Sequence, residues 1–216
     1  RYADAIESNR LAIAADENYI TQCRAQGLYP MGYYPHNVHF LWFAATADGQ
    51  SRVAIEAASK VAARIDDAQV TEMPMLAGFR VVRYWAHLRF GRWQEMLNEP
   101  APLATSPFLR GAWHYGRGQA LVATGDVDAA ERELQQLEAV LPDKGLDQPL
   151  FSPNTGRAIL AVGPPLLRGE IAAARSDFAT AISRLEEAVR LEDALVYTEP
   201  SEWHSPPRLA LGAVLL

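Results

Sequence analysis

Apolar residues along the chain recur at spacings of three and four, the mark of helices that each bury one face. The pattern is most complete between Gly118 and Pro142, where Val127, Ala130, Leu134 and Leu137 lie 2, 5, 9 and 12 positions beyond Gly125. These offsets trace one side of a 3.6-residue helix, with a small residue where two helices touch and glycine where the chain reverses. Gly118 ends the packed part of the preceding helix, and Pro142 closes the following one. The same register returns elsewhere. Gly49 precedes Ser51, Ala54, Ala58 and Val61, and Gly91 precedes Trp93, Met96 and then Pro100, which cuts the second helix short. Ser176 stands at the turn position before Phe178, Ala181, Leu185 and Ala188. Tyr2, Ala5, Asn9 and Ala12 fit a second helix without its turn glycine, and Leu211 and Gly212 fit the first helix of a further pair. The pattern predicts four nearly whole helix pairs flanked by two half-pairs, all within a single domain over residues 1–216.

The turns at 49, 91, 125 and 176 are separated by 42, 34 and 51 residues. The surplus falls in segments rich in proline, glycine and aromatics, namely Gln26 to Pro35, Ala68 to Gly78, Asp143 to Gly156 and Asp193 to Pro207. Such segments read as elaborated loops between pairs, where solenoids often carry function. The offsets and turn residues resemble the tetratricopeptide consensus. The expected fold is therefore all-α, a tetratricopeptide-like α-α superhelix of antiparallel helix pairs. The apolar end formed by Leu209, Leu211, Val214, Leu215 and Leu216 carries no polar cap, so a longer protein is expected, with incomplete repeats at both ends of this chain.

A narrower resemblance rests on four stretches: Tyr34 to Leu41, Gly91 to Trp93, Arg110 to Tyr115 and Glu199 to Trp203. Together they are similar to a largely uncharacterised bacterial family of tetratricopeptide-repeat proteins. That resemblance covers nearly the whole chain and implies the repeat fold, but no reaction. It also implies more sequence at both ends, with a further histidine-bearing segment upstream and, in many members, an export signal.

Composition narrows the function classes. The net charge is −6, lysine occurs only at positions 60 and 144, and no cluster of cations is present. A protein dedicated to nucleic acid normally carries a basic stripe to displace phosphate counterions, so no nucleic-acid partner is expected. No apolar run reaches the length of a membrane span, so membrane insertion is not expected. Cys23 is the one cysteine, which excludes an intramolecular disulfide and any zinc site built from several cysteines. It reads as a half-buried thiol at a helix end.

In a superhelix of this type the first helix of each pair lines the concave groove, and the resemblance places His36, His39, Phe43, Trp85, Tyr115 and Gln119 there as candidate ligand-binding residues. Thr46, Leu166 and Glu170 stand at equivalent positions. The groove is aromatic and histidine-bearing, without the Lys/Asn/Arg set that grips a peptide's terminal carboxylate. An extended peptide or partner protein with apolar groups suits it.

His36 and His39 also form an HxxH on one helical face, able to share a divalent metal if His114, Glu199, His204 or residues beyond the chain complete the site. The plainer reading has His36 starting a helix after Pro35 and His39 bonding to a neighbouring loop. Trp85, Trp93, Trp113 and Trp203 suggest an aromatic platform, yet tryptophans at helical spacing in repeats are mostly packing residues. Trp203, inside a proline-rich loop, is the least explained by packing. Gly163-Pro164-Pro165 lacks the phosphate-loop pattern and reads as a helix start or kink. No serine sits in a nucleophile elbow and no histidine adjoins Cys23, so catalysis is not the expectation, and no cofactor is called for beyond the metal alternative.

Overall fold

The turns show how local chemistry builds this molecule. In the computed structural model, which describes residues 1–24, 29–150 and 153–216, all four expected turn positions adopt left-handed backbone, with φ of 76° at Gly49, 64° at Gly91, 91° at Gly125 and 62° at Ser176. Each turn closes with the same hydrogen bond. The residue after the left-handed one donates its N–H to a carbonyl five positions earlier: Gln50 to Ala45, Arg92 to His87, Asp126 to Leu121 and Asp177 to Ala172, all at 2.8–2.9 Å. This is the Schellman arrangement, which satisfies carbonyls left over at a helix end. Asp126 and Asp177 then cap the next helix by accepting from the N–H groups of Ala129 and Thr180, so in these two turns one helix stops and the next starts after two or three residues.

The described residues form thirteen α-helices and no β-strand. Helix α1 spans Tyr2–Cys23, α2 Tyr34–Ala47 and α3 Ser51–Ala63, with short α4 at Asp67–Glu72. The next line of helix is broken, with α5 at Ala77–Arg80 and α6 at Val82–Arg89, and returns through short α7 at Trp93–Leu97. Helices α8 (Pro107–Thr124) and α9 (Val127–Val140) make the most regular hairpin. After α10 (Gly156–Leu160), α11 (Gly163–Ala174) pairs with α12 (Phe178–Asp193), and α13 (Pro207–Leu215) ends the chain. Pro164 and Pro165 sit at the first turn of α11, where a missing N–H costs nothing. None of these helices is long and apolar enough to cross a membrane.

Helices pack chiefly with their neighbours in the chain. Within pairs, α2 packs on α3, α6 on α7, α8 on α9 and α11 on α12, while α1 lies against α2. Between pairs, α3 meets α6, α7 meets α8, α9 meets α11 and α12 meets α13. The first helices also touch one another in order, α2 to α6, α6 to α8, α8 to α11 and α11 to α13. Small residues make the close approaches possible: Ala54, Ala58, Ala130, Ala181 and Ala188 are fully buried.

Two expectations about packing need correction. Phe178, assigned to the buried face of α12, is 53% exposed and sits at the first position of its helix. Cys23 is exposed rather than half-buried. Of the loops marked by surplus residues, Gln26 to Pro35 is described except for residues 26–28, and Asp143 to Gly156 except for residues 151–152.

Candidate functional site

The anticipated residues lie on α2, α6 and α8. On α2, His36 is exposed, while His39 is half-buried, its ring stacked on Trp42 at 5.3 Å and set edge-on to Phe79 at 5.5 Å. Burial holds the His39 imidazole down at about 3, with the neighbouring His36 charge adding to the depression; it is neutral near pH 7. Phe43 is half-buried and packs against the core instead of joining the cavities described below. On α6, Trp85 is buried, and on α8 Tyr115 is buried while Gln119 is half-buried. Gln119 donates to Glu170 of α11 at 2.6 Å, joining two positions assigned to the groove. Burial still dominates at Glu170 and lifts its carboxyl to about 7.

What lies on this face was not legible in the sequence. The segment between α12 and α13 folds back across the first helices and drives Trp203 into them until it is 2% exposed. The Trp203 ring stands 4.9 Å from Tyr115 and 5.5 Å from Trp85. His204 stacks on Trp85 at 4.9 Å, and its Nε2 is 3.2 Å from the Tyr115 hydroxyl. Burial, helped by Arg89, holds His204 down at about 3, and the Tyr115 hydroxyl is pushed well above its usual range by the same loss of water. Trp203 is therefore a core residue, and Trp85 and Tyr115 are covered by their own chain. Asn154 secures the returning segment: its amide donates to the Val196 carbonyl at 2.9 Å and to Glu202 at 2.5 Å, and its oxygen accepts from the Val196 N–H at 2.9 Å.

Two cavities flank this aromatic cluster. The smaller, about 220 Å³, is bounded by Tyr115, Gln119, Glu170, His204 and the start of α13. The larger, about 440 Å³ and mostly apolar, is enclosed by α2, α5, α6, Phe108, Ile159 and residues 198–202. His36 and His39 both line it. Its volume falls in the range of sites for small ligands or a few peptide side chains. Phe40, Phe79 and Phe108 belong to this wall but were not singled out from the sequence; Phe40 alone carried a signal, being one helical turn beyond His36.

The other histidines are engaged elsewhere. The His114 ring nitrogen lies 2.7 Å from Glu133, which also accepts from Arg117 at 2.8 Å; these two bonds hold the Glu133 carboxyl below its ordinary value against the opposing effect of burial, the largest single influence on it. His87, buried, meets Glu99 at 3.1 Å beside Arg83. Among the described residues, no group of three or more His, Cys, Asp or Glu side chains is placed to hold a metal ion. Comparison with family models, with curated proteins and with solved structures returned no match.

Proposed function

We propose that this chain is a tetratricopeptide-type binding scaffold, of the bacterial repeat family its sequence resembles, that holds an extended peptide or a partner protein on the face built by its first helices. The repeat reading is supported by four turns with one hydrogen-bond pattern and by helices stacked in chain order. The binding reading is carried by one observation, the cavity of about 440 Å³ between α2 and residues 198–202. Mostly apolar, it would gain from desolvating an aliphatic or aromatic side chain while neighbouring backbone runs along the surface. Trp85 and Tyr115 serve this site from below, as the floor against which Trp203 and His204 pack, and Gln119 belongs to the smaller cavity.

Selection of displayed peptides on the immobilised chain tests the proposal. Peptides with a recurrent apolar residue are expected to be enriched. Their affinity should fall at least about tenfold in a His36→Trp variant, whose added bulk at the exposed mouth obstructs entry without disturbing the core. No enrichment, or enriched peptides indifferent to His36→Trp, would reject this cavity as the site.

A further inference from the structure

Apart from His36 and His39, the charge around the larger cavity is one-sided. Phe40, Trp42, Phe79, Trp85 and Phe108 are among the residues that line it. The returning segment adds two carboxylates to the lining, Glu199, which is exposed, and Glu202, which is half-buried. No lysine or arginine is among the described residues that line the space, and residues 25–28 and 151–152 include none. Glu199 accepts from the Tyr197 hydroxyl and Glu202 from the Asn154 amide, each at 2.5 Å. A purely apolar occupant would bring nothing to these carboxylates, and an anion would be repelled by them. A cation is attracted both by the carboxylates and by the negative faces of aromatic rings.

We propose that this cavity binds an organic cation, an ammonium or guanidinium group carried on an apolar body. The body lies among the aromatic rings and the charge stays toward Glu199 and Glu202. The inference rests on reading this face as the binding face and specifies the chemistry of its ligand. That chemistry is shared by free quaternary amines and by cationic side chains of a peptide.

The test titrates the full chain, followed by tryptophan fluorescence since Trp42 and Trp85 line the space, with phenethyltrimethylammonium, its neutral tert-butyl isostere and a phenylalkyl carboxylate of similar length. The ammonium is expected to bind at least about tenfold more tightly than the isostere, and the carboxylate more weakly than both. In the double variant Glu199→Gln, Glu202→Gln, which retains acceptors for Tyr197 and Asn154, the advantage of the ammonium should shrink several-fold. Should that variant not fold, a salt series on the unaltered chain decides instead: added salt should weaken the ammonium and leave the isostere unchanged. Absence of saturable ammonium binding, or equal affinity for the isostere, would overturn the proposal. Competition by a peptide bearing trimethyllysine, but not by its norleucine counterpart, would place the cation on a protein partner; competition by small amines alone would make it a free ligand. Display-selected peptides that occupy the cavity without any cationic residue would sink this inference and leave the scaffold reading intact. Ammonium binding with no peptide enriched would do the reverse.

Discussion

Gly118 illustrates how one residue decides the distance between helices. A Cβ there would overlap the Leu167 side chain of α11, and Leu167 is fully buried, so it has no room to yield. Replacing glycine by alanine inside a helix normally gains up to about 1 kcal/mol of propensity, whereas overpacking a core costs roughly 1–3 kcal/mol. Overlap should win. Gly118→Ala is expected to lower stability by about 1–2 kcal/mol in denaturant unfolding, and the same change made on a Leu167→Ala background should be neutral or favourable. A loss of equal size in both backgrounds would show that packing against Leu167 is not the cause. Glu170 makes a second prediction at this scale. Its carboxyl titrates near 7 in the fold and from an ordinary value of 4.5 when unfolded. Between those values the unfolded chain releases the proton first, so this group's contribution is fully present below about pH 4.5 and declines as pH rises toward 7. His39 and His204, depressed to about 3, act in the opposite sense, contributing above about 6.5 and losing ground as pH falls. Glu170→Gln should therefore gain stability relative to the unaltered chain as pH rises from 4.5 to 7, with a constant difference above that; a pH-independent difference would remove the assignment.

At the scale of elements, the hairpins are specified locally and the returning segment is not. A left-handed residue, a capping aspartate and a small residue at the crossing are enough to define α8–α9 or α11–α12. Residues 196–203 instead depend on Asn154, which is distant in sequence and buried. Asn154→Ala removes hydrogen bonds to both backbone groups of Val196 and to Glu202. Each such hydrogen bond contributes roughly 0.5–1.5 kcal/mol net, and the Val196 amide should exchange with solvent much faster than in the unaltered chain. Unchanged exchange there would mean that the segment is held by Trp203 alone. The positions of Asn154 and Trp203 explain why periodicity could not foretell this element: neither lies on a helical face with a 3.6-residue repeat.

For the molecule as a whole, neighbour-to-neighbour packing makes stability nearly a sum over successive hairpins and their interfaces. Trp203 departs from that scheme by tying the region beyond α12 to α6 and α8 through Trp85 and Tyr115. Trp203→Leu is expected to cost about 2–4 kcal/mol through the void it leaves. Hydrogen exchange should accelerate in α6 and α8 as well as near α13. An effect confined to α13 would show that the returning segment is an appendage rather than a tie between helix pairs. This tie also sets the form of the candidate site, since two separate cavities stand where an uninterrupted groove was expected.

The helical pairs, their turns and most of their buried faces were legible because each depends on residues within a few positions of one another. Left-handed turns at Gly49, Gly91, Gly125 and Ser176, and the buried Ala130, Leu134 and Leu137, follow from backbone sterics and helical period alone. The same local rules brought His36, His39, Trp85 and Tyr115 to the first helices. Which of them meets solvent was decided only by tertiary structure. Burial is a property of what arrives from elsewhere in the chain, and here Trp203 and His204 arrive from a loop with no periodic signal. The depressed His39, the raised Glu170 and the one-sided charge of the larger cavity have the same origin: each depends on distances across space, which no spacing along the sequence encodes.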